Sequence, residues 1–510
     1  MRDWLTKSNM FYISEVTVAF ITFLLLFLFV KRQRNRIKLP GPWGLPVIGN
    51  ILQLGTLPHL TLAKMRKSYG NVFQIHLGTK SVVVVSGYEM IKTVLVTQGK
   101  CFANRPDFYF LSLIGNGESF TFSLKYGESW KLLRKILGNA LRSFSQEKAK
   151  NSTFSCLLEE HVSTEAVELA KDFENCSKDN NYFNGRGLIS CAVANVVCAL
   201  CFGKRYEHDD KDFHSLIEIN SELQTASGSV SLLDFIPILH YFPSATLKAV
   251  HKFISNLNNY FERSIQEHYD TYDVNHIRDI TDALINLCET RDPRGKTACV
   301  TNKQIINTVQ DIFGAGIDTV PTALEWSILY LITYPEIQSR IQEEIDTYIG
   351  FSKLPRFEDR HSMHFTEAFI NEVFRHSSFV PFTVPHCTTA DTFLSGYFIP
   401  KDTCIFVNMY QVNHDRDLWK SPELFMPERF LDELGQLNKE AVEKLLLFGM
   451  GLRKCMGEQI ARNKIFVFLT TILQQVTLQK RLDDKIYLTP HFGLAMKPGP
   501  FCFRAVSRIQ

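Results

Sequence analysis

Ten residues, Phe448 to Gly457, read FGMGLRKCMG, and they constrain the chain more than any other stretch. Cys455 carries a soft, polarisable sulfur that binds metals as the thiolate. Gly449, Gly451 and Gly457 lack side chains, so a flat cofactor can come close to the backbone. Arg453, two residues before the cysteine, is placed to reach a carboxylate on the edge of such a cofactor. The spacing predicts a helix over Ile460 to Leu473, whose first amides point at the sulfur and favour its thiolate. No second Cys or His lies nearby at zinc spacing, which argues against zinc. One thiolate, one cation and bare backbone suit a haem held by a single cysteine. A buried core cysteine beside a glycine turn is the other reading of these residues taken alone.

The remaining sequence can supply such an interior. The chain has 510 residues, of which 45% are hydrophobic, so a large core is available. Length alone allows about three domains, yet no linker, low-complexity segment or internal repeat divides it. A net charge of +3 is too small to suggest nucleic acid. Twelve cysteines occur without a framework spacing, as expected for reduced thiols in a cytosol-facing protein.

Met10 to Val30 is mostly apolar and has the length of a membrane helix. Lys31, Arg32, Arg34, Arg36 and Lys38 follow it directly, whereas only Arg2 and Lys7 precede it. That order fits a retained anchor with its basic side in the cytosol rather than a cleaved signal. The triplets at Asn151 and Asn175 would then never meet the glycosylating enzyme. Leu39 to Asn50 (LPGPWGLPVIGN) is stiffened by prolines and ends in turn residues. The expected organisation is therefore an anchor over residues 1–38, a hinge over 39–50 and a catalytic body over 51–510.

Within the body, Val72 to Leu77 and Ser81 to Ser86 read as strands. An aromatic stretch runs from Phe102 to Phe122. Trp130 and Arg134 are four apart on a helical pattern and share a face. Ile189 to Phe202 reads as helix, as does Phe213 to Tyr269 with a break near Ser227 to Asp234. Asn302 to Thr333 is the longest helical pattern, with DIFGAGIDTVP at its middle. Asp311, Ala315 and Thr319 step by four onto one face. Gly314 and Gly316 weaken that helix, which makes sense if something needs room there. Asp318 and Thr319 set a carboxyl and a hydroxyl at the loosened point, which taken alone also reads as a core helix with an N-cap-like Asp-Thr. Pro321 removes a hydrogen bond to the Ile317 carbonyl at a cost of about 3 kcal/mol. Glu372 and Arg375 are three apart and can pair, and Arg429 lies in PERF.

Together these motifs resemble the cytochrome P450 family. FGMGLRKCMG matches its haem signature at Phe448, Gly451, Arg453, Cys455 and Gly457, and GAGIDT resembles its oxygen-activating motif. Every motif occurs once and in family order, from the hinge at Leu39 to the tail. QDIFGAGIDT, RHSSFVPFTVPHCTT and SGYFIPKDTCIFVN look like the vertebrate microsomal family 1, the aryl-hydrocarbon-oxidising group. The resemblance implies a mainly α fold with small β-sheets behind a single N-terminal transmembrane helix. It implies haem b with Cys455 as ligand, with Trp130, Arg134, His386 and Arg453 at the propionates and Phe448 and Gly449 against the ring. Asp318 and Thr319 would deliver protons. Phe122, Leu223, Asp311, Phe313, Ala315 and Leu494 would line the substrate pocket. Glu372, Arg375 and Arg429 would form a buried, structural charge network. Lys131, Lys135 and Lys454 would offer a basic surface to an acidic redox partner. No flavin or nicotinamide fingerprint occurs, so the resemblance implies electrons from NADPH through a separate cytochrome P450 reductase, with cytochrome b5 as a second donor. The implied reaction inserts one oxygen atom of O2 into a lipophilic, planar aromatic substrate, with steroids, fatty acids and retinoids as further candidates. The implied location is the endoplasmic reticulum membrane with the body in the cytosol. Two other classes share the fold: an isomerase or lyase that needs no reductase, and a non-catalytic haem sensor. The intact acid–alcohol pair argues against both.

Overall fold

In this computed structural model the structure describes residues 39–113, 119–145, 158–207, 245–289 and 301–508, with isolated positions at 22 and between 210 and 241. Among the described residues no helix is long and apolar enough to cross a membrane. The expected anchor, the basic run after it, the Asn151 triplet and most of the segment after Phe213, including Leu223, lie outside them.

The longer helices are α1 Pro58–Tyr69, α2 Glu128–Ser145, α3 Leu158–Cys176, α4 Arg186–Phe202, α5 Ala245–Thr271, α6 Ile280–Glu289, α7 Asn302–Thr333, α8 Pro335–Tyr348, α9 His364–Ser377 and α10 Glu458–Gln475. The centre is α7, which packs along α4 and against α9 and α10. It starts cleanly because Thr301 and Gln304 form a reciprocal cap, with Gln304 N–H on Thr301 Oγ1 at 3.2 Å and Thr301 N–H on Gln304 Oε1 at 3.0 Å. Its second half, from Val320 to Ile332, is buried throughout, with Thr322, Glu325 and Ser327 as its polar members, as expected of a helix surrounded by protein. The helix continues through Pro321, which is itself buried. The periodicity placed α7 at its observed limits. It set α10 and α4 two to three residues short, because frayed first and last turns carry little apolar signal.

The sheets are small. β1 Val72–Leu77 and β2 Lys80–Val85 form an antiparallel hairpin. β3 is His386–Cys387, and β4 Thr392–Leu394 and β5 Tyr397–Ile399 form a second hairpin. β6 is Cys404–Val407, and β7 Val476–Gln479 pairs with β8 Arg504–Ser507. The main sheet has the order β1-β2-β6-β3, with β6 parallel to β2 and antiparallel to β3. The proline-rich segment is pinned to this sheet: Gln74 N–H donates to Pro40 O at 2.8 Å and Asn50 N–H to His76 O at 2.6 Å.

A charge network joins α9 to the stretch 413–429. Glu372 and Arg375 are both fully buried and pair at 2.7 Å, and Arg429 joins Glu372 at 3.0 Å. Arg375 also donates to the carbonyls of Asn413, Pro422 and Leu424, so its donors are spent locally. Removing one partner of a buried pair leaves the other charge uncompensated, a loss of about 3–5 kcal/mol. Arg375→Ala should therefore abolish recovery of folded protein or lower its thermal midpoint by many degrees, whereas exposed Arg340→Ala, paired with Glu428, should change it little.

Candidate functional site

The cysteine loop is shaped by its own backbone. Cys455 N–H donates to Phe448 O at 2.9 Å and closes the turn. Gly449 and Gly451 sit at φ +69° and +67°, the left-handed region. At Gly451 a Cβ would lie 1.8 Å from the Leu95 carbonyl oxygen, so no other residue fits. Arg462, from the first turns of α10, lies over Phe448 at 5.2 Å and over Phe374 at 5.3 Å and donates to Asn371 at 2.9 Å, fixing the loop to α9. Cys455 keeps accessible surface, yet protein surrounds it densely enough that burial raises its thiol pKa. The Gly457 N–H at the head of α10 and the cations Arg134 and Lys454 pull it back down, and Glu458 pushes it up. Helix-terminal stabilisation of the thiolate is present as expected, but burial outweighs it.

Three arginines gather beside this loop. Arg453 donates to the carbonyls of Ala103 at 3.0 Å, Phe120 at 3.4 Å and Ser123 at 3.1 Å. Arg134 donates to Lys454 O at 2.7 Å. Arg105 donates to Thr121, Val384 and Pro385 carbonyls at 3.2, 2.9 and 3.1 Å. Among the described residues no carboxylate pairs with any of them. Burial, with the repulsion of Arg453 and Arg134, holds Arg105 well below the usual guanidinium range, and Arg453 is lowered to about 10 by burial and Arg134. His386 donates Nδ1–H to Phe102 O at 2.8 Å, and burial with Arg105 keeps its ring neutral.

Trp130 contributes differently from expectation. Its indole N–H is spent on Phe120 O at 3.1 Å, and its ring carries Arg453 at 4.2 Å and Arg134 at 5.4 Å. It positions the arginines rather than offering a donor of its own. The expected basic surface is also reduced: Lys131 pairs with Glu128 at 2.6 Å and Lys454 with Glu458 at 2.7 Å, leaving Lys135 exposed.

On α7, Gly314 and Ala315 are exposed in the middle of a helix otherwise walled in by protein. The two glycines have different reasons. A Cβ on Gly316 would press Val197 of α4 at 2.9 Å, whereas one on Gly314 would meet nothing within 4 Å. Thr319 is half-buried and donates its hydroxyl to Ala315 O at 2.8 Å. Asp318 turns the other way and is buried against Lys497 at 3.2 Å, so the carboxyl and hydroxyl do not share a direction. Asp311 accepts from Ser119 Oγ at 2.8 Å and from Thr121 N–H at 2.8 Å. Residues 119–123 thus join α7 to the arginines, since the same short segment supplies carbonyls to Arg105, Arg453 and Trp130. Phe122 is half-buried beside it. Phe313 is buried edge-on to Phe261 at 5.4 Å, inside the core. Leu494 is 66% exposed, just before buried Ala495 and Met496.

Sequence reasoning missed two residues. Arg105 was passed over inside the aromatic stretch, and only its place in FANRP ahead of that stretch could have drawn attention. Lys497 had no local signal.

These residues fit a flat, dianionic-edged cofactor. Among the described residues the cationic cluster has no acidic partner, the sulfur is accessible, and Gly314 leaves open space beside α7. A family model for Cytochrome P450 matches residues 39–504. Cytochrome P450 1A1 of Chelon auratus is 44% identical over 509 residues, covering 98% of this chain and 97% of its own. Cytochrome P450 1A5 of Gallus gallus is 46% identical over 491 residues, covering 95% and 93%.

Burial lifts Asp311 to about 6 against the hydrogen bonds of Thr121 and Ser119. A raised carboxyl stabilises the fold fully below its unfolded value of about 4, and this is lost as pH rises through about 6. The Tm of Asp311→Asn, relative to the parent, should therefore rise between those two values; a constant difference would contradict the shift.

Proposed function

The chain belongs to the cytochrome P450 family and is a monooxygenase of that type, with thiolate-ligated haem b and NADPH as electron source; on that premise we propose that it oxidises lipophilic, planar aromatic compounds. Bound haem supplies the oxygen activation. Cys455 would be its ligand, and Arg105, Arg134 and Arg453 would neutralise its two carboxylates, with neutral His386 beside Arg105. Phe448 and Gly449 would meet the ring.

The observation that carries the substrate reading is the clasp between Asp311 and Ser119–Thr121. It ties the segment that carries Phe120, stacked on Trp130 at 5.4 Å, and half-buried Phe122 to α7 one turn before the exposed Gly314–Ala315 pair. Such an arrangement suits a flat, apolar guest and excludes water around it. Thr319, its hydroxyl bonded back to Ala315 O, and Asp318, paired with Lys497, would handle protons at this point of the helix. Ala315, Phe313, Leu223 and Leu494 complete the pocket in this reading. A partner reductase delivers the electrons, with cytochrome b5 as a second donor, and the N-terminal segment anchors the enzyme in the endoplasmic reticulum membrane. Steroids, fatty acids and retinoids are the competing substrates.

A visible-absorption titration separates these. Planar polycyclic aromatics should shift the main haem band at micromolar concentration, and turnover should require both NADPH and reductase. A shift only with steroids or fatty acids would move the role to endogenous lipids, and product without reductase would favour an isomerase. Pro321→Thr should change the peroxide released per product formed; an equal ratio would remove Pro321 from oxygen coupling.

A further inference from the structure

Two cysteines outside the site face each other in the main sheet. The register of β3 on β6 pairs His386 with Ile405 and Cys387 with Cys404. Thr388 N–H donates to Thr403 O at 3.1 Å, one step beyond the cysteines, and Cys387 N–H turns away to Asn104 O at 2.8 Å. Cys387 and Cys404 are therefore a non-hydrogen-bonded pair. In such pairs the opposed Cα atoms approach to about 4.5 Å, and the side chains lie closest. A disulfide accepts Cα separations of about 4.4–6.8 Å, so a bridge needs no change of register.

Both cysteines are buried, and both line one cavity of about 730 Å³. The wall of that cavity also carries Lys80, Lys125, Lys401 and Arg105 against Asp107 and Asp402, so its charge favours a small anion. The cysteine loop at Cys455 does not contribute to it.

We propose that Cys387 and Cys404 are a redox-active dithiol that closes to a disulfide by exchange with a small anionic disulfide of the glutathione class, admitted through this cavity. One cysteine thiolate attacks the S–S bond and releases one glutathione thiolate. The second cysteine then displaces the other glutathione from the mixed disulfide. The cysteine pair gives up two electrons and two protons, and the two released glutathiones take them up.

Both cysteines are free thiols in this structure. Burial pushes the Cys387 thiol up to about 11 and Cys404 higher still, while Lys80 pulls both down. Cys387 also raises Cys404, so the two groups sense each other electrostatically. With both thiols protonated, exchange should speed up about tenfold per pH unit near neutrality. The bridge would stiffen the strand that leads from Val384 and Pro385, the carbonyls that hold Arg105.

The test uses the full-length holoenzyme, incubated with glutathione disulfide, alkylated and digested with trypsin without reductant. Cleavage after Arg375, Lys401 and Arg416 leaves each cysteine alone on its peptide. The two peptides should appear covalently linked, faster at mildly alkaline pH. In Cys387→Ser or Cys404→Ser the linked species should vanish, with glutathione left on the remaining cysteine. If a serine variant does not fold, the wild-type linkage still decides. Two results would overturn the proposal: both peptides alkylated only, while exposed Cys502 carries glutathione, or both glutathionylated without linkage.

Discussion

Three neighbouring guanidinium ions, two of them over one indole and none, among the described residues, paired with a carboxylate, set the terms for the rest of this site. Burying a charge is costly unless it is paired and hydrogen-bonded, and like charges add repulsion. Backbone carbonyls do the local compensation here. Ala103, Phe120, Thr121, Ser123, Val384, Pro385 and Lys454 all turn their oxygens toward Arg105, Arg134 or Arg453. Those carbonyls come from four separate stretches of chain. The cluster therefore locks the aromatic segment, α2, the irregular stretch before β3 and the cysteine loop into one arrangement. Carbonyl dipoles do not cancel net charge, and a dianionic ligand edge would complete the balance.

The second constraint is α7. A helix through a core is normally apolar on all sides, and the C-terminal half of α7 is largely so, with buried Glu325 paired to Arg186 at 2.8 Å. Its middle trades stability for space: Gly316 lets α4 approach, Gly314 leaves the opposite direction open, and Pro321 gives up a hydrogen bond. The hydroxyls of Thr319 and Thr322 bond back to Ala315 and Asp318 carbonyls at 2.8 Å each, so the side chains are tied into the helix at its loosened point. Asp311 then closes the arrangement by holding the Ser119–Thr121 turn. The proposed pocket thus depends on the same five-residue segment, 119–123, that supplies the arginine cluster with acceptors.

Much of this was legible in the sequence because it is local. The cysteine loop follows from glycine spacing and a single hydrogen-bonded turn. The limits of α7 follow from its cap and its apolar period, and the Glu372–Arg375 pair from three-residue helical spacing. What escaped depends on contacts distant in sequence. Arg105 has meaning only once Val384 and Pro385 arrive beside it, and Lys497 only beside Asp318. The indole N–H of Trp130 was free in the sequence and found Phe120 O in the fold. The facing of Cys387 and Cys404 required the β3–β6 register, which two-residue strands do not announce.

The claim at the centre is that Arg105 and Arg453 hold the cofactor's carboxylates, and the most direct test is the rate at which haem leaves the folded holoprotein. A charge-assisted hydrogen bond contributes about 1.5–3 kcal/mol, so Arg105→Gln and Arg453→Gln should each release haem at least about tenfold faster. Arg340→Gln, at an exposed pair with Glu428, should match the parent. Equal rates in all four proteins would contradict the assignment.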